Sequence, residues 1–460
     1  MQSGDNSPRC VVMASLLGLL HAGAASLSVG QMGVGVHGGN IANARTPGYA
    51  RRDLLIEEGG GGMTRTRGLL RSEDFVLSQK IAQQQGTLLH RSRLADGLRE
   101  VEQVLRAGQS DLSHRVAALA SSLSELAPAP HDLTRRTEVI ERGRSVASEF
   151  NRLAHSLGRL QVQAMERAQR LLPRIAELAR QLATLNQKVL HGAGGAAAPD
   201  AALAARTSDL RDELARTLAG LVGGDVLRNA DGAINVLLGG LSVVHGAVAS
   251  PVEIKESASG VQVLVGGAPL QVAVGGELGA ELAIRDVARM TLAQLDRLAF
   301  DFSAALNAQH AFGVGLDGVG GRPFFSPPGA VAGAALRLEV DPQLTPQTLA
   351  VGFTAQRGDN RNALALSNLI DQPLLEGGRA SFRNVYARVA SQLGFQVQRA
   401  ADDREAAQEQ ADALDRAREA VAGVQTDEEM VRLMAYQRGF EASARFIRTI
   451  DQMLDRLINL

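Results

Sequence analysis

The end of the chain carries its most regular hydrophobic pattern. Between Leu433 and Leu457, residues recur at alternating steps of three and four, which is the spacing of one helix face. The members of this stripe are Leu433, Tyr436, Phe440, Ser443, Ile447, Ile450, Leu454 and Leu457. All except Ser443 are apolar, and charged residues occupy the other faces. The pattern predicts an amphipathic helix that needs a partner helix.

A second helical stripe near the start of the chain mixes large apolar residues with glycine. Its members are Leu16, Leu20, Gly23, Leu27, Gly30, Val34 and Ile41. Glycine allows another helix to approach closely, although each glycine costs a helix about 0.5 to 1 kcal/mol relative to alanine. The stripe fits a buried core helix or a docking helix, and its small residues complement the C-terminal stripe. We therefore expect the two chain ends to pair.

The helical pattern ends at a turn signal and resumes further along the chain. Pro47 and Gly48 favour a turn, and residues 51–58 have the pattern of an extended segment. Apolar stripes predict a helical region from Leu94 to Pro128. Residues 139–190 then keep the spacing of three and four with one step of four and four, which predicts a helix about 75 Å long.

A Gly/Ala-rich linker at residues 191–199 is followed by a shorter helix. After that helix, apolar residues recur at every second position. Ile234, Val236 and Leu238 alternate after an Asp-Gly turn. Residues 261–265 and 270–274 flank a glycine-rich turn, as the strands of a hairpin would. These patterns predict a small β domain.

Together the patterns predict a mainly α fold with a small inserted β domain. The architecture is an elongated helical bundle with paired N- and C-terminal coiled-coil helices. We divide the chain into four parts. Residues 1–12 are an extension or a misassigned start, and residues 13–58 with 424–460 form a terminal coiled-coil assembly domain. Residues 59–222 with 278–423 form a long helical-bundle domain that has an irregular β-rich excursion at 313–356, and residues 223–277 form a small β domain.

Composition and charge narrow the function. The chain has 48 basic and 49 acidic residues, so it has no basic excess for nucleic acid. Its one cysteine, Cys10, excludes an internal disulfide framework and a cysteine zinc site. The apolar stretch from Val11 to Gly30 raises the alternative of a secretory signal, but His21 and several glycines interrupt it. It is also too broken for a membrane span.

Candidate chemistry is sparse. Residues 33–38 and 313–318 both read Gly-x-Gly-x-x-Gly, but neither has the strand before and helix after that a dinucleotide loop needs. Asp317 lies in one glycine-rich loop without the repeated ligands of a calcium site. The histidines form no His-x-x-x-His pair, and the chain has no Gly-x-Ser-x-Gly elbow. We therefore predict no catalytic residue, cofactor or metal.

The turn region resembles a known motif. Asn40-Ile41-Ala42-Asn43 followed by Thr46-Pro47-Gly48-Tyr49 is similar to the N-terminal motif of the axial proteins of the bacterial flagellum, a family of rod, hook and hook-associated proteins. Further similar segments run in the family's order, at residues 209–214, 231–236, 275–279, 306–310, 358–366 and 428–445. Arg45 and the mid-helix Gly439 depart from the family's usual residues. Within the family, the resemblance is strongest to proteins of the hook–filament junction.

The resemblance implies a structural protein rather than an enzyme, with no cofactor. It further implies export to the extracellular flagellum through the type III apparatus without a cleaved signal peptide, and chain ends that are disordered in the free monomer. The implied partners are copies of itself in a ring, the hook protein below, a second junction protein above, and an export chaperone on the C-terminal helix, with no nucleic acid and no membrane.

Two alternatives remain open at this point. Another axial protein, of the hook or rod, would share the motif but lack the helix at 139–190. A secreted adhesin or enzyme would act through residues 223–277. We predict an assembly interface at the two chain ends, made of Leu16, Leu20, Leu27, Val34, Asn40, Ile41, Asn43, Thr46, Pro47, Gly48, Tyr49, Leu433, Tyr436, Gln437, Phe440, Ile447, Ile450, Leu454 and Leu457.

Overall fold

The protein is mainly helical with small antiparallel sheets. A computed structural model describes residues 8–46, 48–59, 63–106, 111–192, 201–257, 260–373 and 378–458. The helices are α1 (Pro8–Asn43), α2 (Phe75–Leu105), α3 (Leu112–Leu126), α4 (Leu133–Gly192), α5 (Ala201–Val222), α6 (Gly276–Ala311), α7 (Ala334–Arg337), α8 (Arg361–Asn368), α9 (Phe382–Ala422) and α10 (Thr426–Ile458). Of the residues that the structure describes, 66% are helical, which confirms the predicted fold class.

The strands form three antiparallel sheets. They are β1 (Arg52–Gly59), β2 (Met63–Arg71), β3 (Asp225–Arg228), β4 (Ile234–Leu238), β5 (Leu241–His245), β6 (Val248–Ala249), β7 (Val252–Ser257), β8 (Gly260–Val265) and β9 (Ala268–Pro269). Strands β1 and β2 form a hairpin, β3 to β6 a four-stranded sheet, and β7 to β9 a three-stranded sheet, each in chain order. The sequence pattern predicted the extended segment of β1 but not its partner β2.

The long predicted helix is α4, with 60 residues and a length of about 90 Å. Pro173 lies inside it, and the helix continues through that residue. The pattern was wrong about where the preceding helical region begins. Helix α2 starts at Phe75, where the Asp74 side chain accepts a hydrogen bond from the Leu77 N–H. Its early buried positions include small and polar residues such as Gln84 and Gly86, so no apolar stripe marks them.

Two large hydrophobic cores lie along the body. One packs α3 and the first half of α4 against the end of α6, α8, the start of α9 and residues 324–351. The other packs the second half of α4 against α5 and the inner faces of the two larger sheets. Valines of both sheets share this core with Ile175, Leu182 and Leu218, so the β region covers the helical body rather than enclosing a separate core.

The predicted hairpin around Gly266–Pro269 forms but is shorter than predicted. Strand β8 pairs along its length with β7, while β9 spans two residues. Leu270 N still donates to Val263 O, but residues 271–275 then leave the sheet and lead into α6. Pro269 lacks a backbone N–H and Gly275 packs closely on Gly223, so the segment follows the helical body instead of extending the ladder.

Helices α1 and α10 form a pair. They pack along each other, and α1 also contacts the β1–β2 hairpin. The hairpin in turn contacts α5 of the body. The two chain ends are therefore brought together within one chain, as their complementary stripes predicted.

Candidate functional site: the paired terminal helices

Glycines of α1 lie opposite large residues of α10, and we call each such glycine position a seat. Gly23 lies opposite Ile447, Gly30 opposite Phe440, Gly33 opposite Tyr436, and Gly38 opposite Leu433. Because the α1 numbers rise as the α10 numbers fall, the two helices run antiparallel. The glycines of α1 and the apolar stripe of α10 therefore face each other.

The seats differ in how much room they leave. A Cβ placed on Gly30 would lie 3.1 Å from the Cβ and 3.2 Å from the Cα of Phe440, so the two backbones approach closely there. At Gly33, a Cβ would overlap the Tyr436 ring. By contrast, nothing lies within 4 Å of the Cβ position of Gly35, which faces away from the pair. Glycine is thus required on one face of α1 and tolerated on the other.

A buried polar cluster joins the two helices at their inner end. His37 of α1 and Glu429 of α10 are each 1% exposed, and His37 Nδ1 lies 2.6 Å from Glu429 Oε2. The His37 ring stacks on Tyr436 at 5.2 Å between centroids. Asn40 Nδ2 donates to the same Glu429 oxygen at 2.8 Å. Each polar group therefore has a partner in a region with almost no access to water.

Asn40 also closes the turn that follows α1. Its Nδ2 donates to Arg52 O at 2.8 Å and its Oδ1 accepts from Arg52 N at 3.1 Å, so the side-chain amide pairs with β1 like a neighbouring strand. The Tyr49 hydroxyl donates to Asn40 Oδ1 at 2.6 Å, and burial raises the Tyr49 pKa, which keeps the hydroxyl protonated. All four hydrogen-bonding positions of the amide are satisfied.

Ion pairs tie the terminal pair to the hairpin and the hairpin to the body. Arg432 of α10 lies 3.0 Å from Asp53 of β1. On the other side of the hairpin, Arg52 and Arg71 both reach Asp209 of α5, at 2.5 and 2.9 Å. Arg52 also stacks over the Tyr49 ring at 4.8 Å. The connection between the chain ends and the body is thus largely polar.

The structure brings together most of the predicted interface residues. Ile450 is buried, and those half-buried at the pair are Leu16, Leu20, Leu27, Val34, Ile41, Leu433, Tyr436, Ile447 and Leu454. Burial raises the Tyr436 pKa. Gln437 is exposed, and Phe440 is 36% exposed. Pro47 and the side chain of Leu457 lie outside the described residues.

The turn motif has unequal members. Gly48 has a φ of 82°, a left-handed conformation that favours glycine. Asn43 Nδ2 donates to Gly39 O within its own helix, and Thr46 is exposed. Asn40 is therefore the member that connects the most elements.

Sequence reasoning missed the polar cluster. His37 lies between Val34 and Ile41 at steps of three and four, so it is a polar residue on the apolar stripe. That position was the available signal for a buried polar contact. Glu429 lies four residues before Leu433 and continues the alternation of three and four, so its position carried the same signal. Helix α1 already covers much of the C-terminal stripe within one chain.

Apolar side chains remain exposed on the outer faces of the pair. The exposed large apolar residues of the two helices are Leu17, Leu19, Met32, Met430, Val431, Met434, Phe440, Phe446 and Met453. Among them, Val431 is 63% and Met453 is 49% exposed. Several large apolar side chains exposed on one helix pair are typical of a protein–protein contact.

The other sequence candidates fall in plain structural settings. The glycine pattern at residues 33–38 lies inside α1 and not in a loop. Asp317 pairs with Arg322 at 2.6 Å in the loop after α6. Across the described ranges, no group of three or more His, Cys, Asp or Glu side chains could hold a metal ion. None of the described helices has a stretch long and apolar enough to cross a bilayer.

The paired terminal helices, the turn motif between α1 and the hairpin, and the long helical body together define an axial protein of the bacterial flagellum. The family model described as "Flagellar hook-associated protein FlgK helical domain" matches residues 98–325. The model described as "Flagellar basal body rod FlgEFG protein C-terminal" matches residues 420–460. The chain belongs to the flagellar hook-associated protein 1 family.

Relatives of that name are similar over nearly their whole length. The flagellar hook-associated protein 1 of Bacillus subtilis (strain 168) is 25% identical, over 94% of this chain and 96% of the relative. The flagellar hook-associated protein 1 of Escherichia coli (strain K12) is 22% identical, over 96% of this chain and 99% of the relative. The solved structure of the flagellar hook junction protein FlgK from Burkholderia pseudomallei has the same fold, with a TM-score of 0.61, 15% identity, and coverage of 76% of this chain and all of that one.

Replacing Asn40 with aspartate is expected to loosen the terminal pair. Aspartate keeps the shape of the side chain but removes both N–H donors and places a second carboxylate beside Glu429. We expect a loss of about 3 kcal/mol, which is roughly 100-fold faster amide hydrogen exchange in α1 and α10. Hydrogen-exchange mass spectrometry of the purified chain measures this, with α4 as the internal reference.

The matched control is Asn43→Asp. The Asn43 side chain donates to Gly39 O in its own helix turn, so we expect a much smaller change. Equal acceleration in both variants would contradict the role assigned to Asn40.

Proposed function

We propose that this protein is a structural component of the hook–filament junction of the bacterial flagellum and that it assembles through its paired terminal helices. The observation that carries the assembly role is the terminal pair itself. It joins both chain ends, connects to the body through the β1–β2 hairpin and residues 423–425, and still exposes apolar side chains such as Val431 and Phe446. Burying that surface against neighbouring subunits would supply the driving force for assembly.

The proposal extends to the partners. Copies of the chain would form a ring, with the hook protein below and a second junction protein above. An export chaperone would bind the C-terminal helix, whose exposed apolar residues include Met430, Met434 and Met453. Export would proceed without a cleaved signal peptide, because α1 belongs to the helix pair and its loss would remove the glycine seats. The junction lies outside the cell, which gives the protein an extracellular, flagellar location.

The test is electron microscopy of cells in which the gene is deleted. Cells with hooks but no filaments are expected, and the unchanged gene should restore filaments. A gene encoding Ile447→Asp should not restore them, because Ile447 packs in the Gly23 seat and a buried carboxylate there has no partner. Circular dichroism of the purified variant should still show the helical body.

The control is Arg448→Asp, which changes charge at the next residue on an exposed face of α10. It should restore filaments. Normal filaments on cells that lack the gene would contradict the junction role. Full rescue by Ile447→Asp would contradict assembly through the helix pair.

A further inference from the structure

The apolar packing of the terminal pair does not by itself fix its register. Gly23 and Gly30 are seven residues apart, and so are their partners Ile447 and Phe440. A repeat of seven residues on both helices allows one helix to slide by a repeat and find similar contacts. The shift corresponds to about 10 Å along the helix axis.

Both shifted pairings keep the seats at Gly23 and Gly30 filled. In one direction, Gly23 would face Phe440 and Gly30 would face Leu433. In the other direction, Gly30 would face Ile447 and Gly23 would face Leu454. At these two glycines a large apolar side chain lies opposite in every register, so their packing discriminates weakly between the three registers, whereas Gly33 would exchange Tyr436 for Glu429 or Ser443.

The polar cluster of His37, Asn40 and Glu429 discriminates strongly between the three registers. In the observed register, Glu429 is 1% exposed and contacts both His37 and Asn40. The first shift would place Glu429 where Tyr436 now lies, against Gly33 and over the face of the His37 ring, so Glu429 would lose its contacts with His37 Nδ1 and with Asn40. The second would carry Glu429 beyond the end of α1 and leave His37 facing Tyr436. A buried carboxylate or imidazole without its partner is costly. The exposed charged groups of α10, by contrast, are hydrated when their ion pairs break, so losing those pairs costs little.

We infer that His37, Asn40 and Glu429 set the register of the terminal helix pair. They act as positioning residues: the glycine seats and apolar stripe hold the helices together, and the polar cluster selects one alignment. A single polar position that fixes the register of a helix pair is the best-attested use of buried polar groups. The importance of a fixed register for assembly rests on the proposed junction function, whereas the register itself is a property of the single chain.

Disulfide trapping in the full-length chain tests this inference. All variants carry Cys10→Ser. Gly30→Cys with Phe440→Cys reports the observed register, since a Cβ on Gly30 lies 3.1 Å from that of Phe440. Gly23→Cys with Phe440→Cys reports the first shift, and Gly30→Cys with Ile447→Cys reports the second. Because a disulfide traps any pairing that forms, the yields compare the registers even if the ends pair intermittently.

With the polar cluster intact, the reporter of the observed register should form almost alone under mild oxidation. With His37→Leu and Glu429→Leu together, the ratio of shifted to observed cross-links should rise about tenfold or more. The conservative change to His37→Gln with Glu429→Gln keeps a hydrogen bond between the helices and should restore the observed register. Gel mobility and peptide mass spectrometry measure the yields.

The control is Glu441→Leu, which removes a carboxylate with 67% of its side chain exposed from the same helix. It should leave the ratio low. An unchanged ratio in the double leucine variant would overturn the inference, because the connections at 423–425 and the hairpin would then set the register. Loss of every cross-link would also overturn it, since the cluster would hold the pair together rather than align it. The assay does not depend on assembly. A result that overturns this inference would therefore leave the proposed junction role standing, and electron microscopy tests that role separately.

Discussion

Cells whose only copy of this protein carries Gly33→Leu are expected to make hooks and almost no filaments. Any side chain at Gly33 overlaps the Tyr436 ring, which is itself stacked on His37. The ring cannot move aside without breaking the stack above the buried Glu429. We expect the overlap to cost about 1 to 3 kcal/mol or more, enough to separate the helices and reduce filament-bearing cells by roughly tenfold or more. Electron microscopy of complemented cells measures this.

Gly35→Leu is the matched control in the same helix. It replaces a glycine two residues away, where nothing lies within 4 Å of an added Cβ. Leucine should stabilise the helix there by about 0.5 to 1 kcal/mol, so filaments should form normally. Equal loss of filaments in both variants would mean that α1 needs glycine for a reason other than its contact with α10.

Acid is expected to destabilise the helical body through His310. This imidazole is fully buried; its Nδ1 contacts Arg322 O at 2.8 Å and its Nε2 accepts from Ala350 N at 3.0 Å. Burial lowers the pKa of His310 from 6.5 to about 4. The unfolded chain therefore binds a proton between these two values while the folded chain does not. The stability contribution is complete above pH 6.5 and falls as the pH drops towards 4, by about 3 kcal/mol in total.

Urea unfolding of the chain and of His310→Gln between pH 7 and pH 4 measures the effect. The variant should be less stable at pH 7, because glutamine cannot reproduce both contacts, but the difference should shrink by about 3 kcal/mol at pH 4. His155→Gln, at an exposed position of α4, should follow the pH profile of the unchanged chain. If the difference between His310→Gln and the unchanged chain stayed constant with pH, protonation of His310 would not contribute to acid unfolding.

The same reasoning explains why the chain ends and the body should respond differently to change. The body buries large side chains such as Phe150, Phe302 and Phe382 in a core shared by several helices. The terminal pair has two helices, glycine seats and one polar cluster, and its outer faces stay exposed. Substitutions at the pair should therefore affect assembly before they affect the fold of the body.

Several features were predictable because a local repeat encodes them. The spacing of three and four in α4 and α10 marks a buried helix face, since only one face of a helix can meet a core. The change to a period of two located β4, and Gly48 with its positive φ located the turn after α1. The ordered motifs identified the flagellar family, because each recurs at the expected place in the chain.

Other features depended on contacts between distant parts of the chain. Strand β2, the start of α2 and the pairing of β8 with β7 lack a distinct local pattern, so the packing of the body decided them. The contact between His37 and Glu429 joins residues that are 392 positions apart. Sequence periodicity shows which face a residue occupies, but not which distant residue lies opposite.

By itself, the sequence determined that this protein has long amphipathic helices, an inserted β region and two complementary ends, because periodicity and glycine placement are local properties of the chain. The tertiary structure decided which glycines are seats, that Gly33 and not Gly35 receives an aromatic ring, and that Asn40 pairs with both the turn and Glu429. The physical reason is that steric fit and burial of polar groups are properties of two surfaces in contact, and only the folded chain sets the second surface.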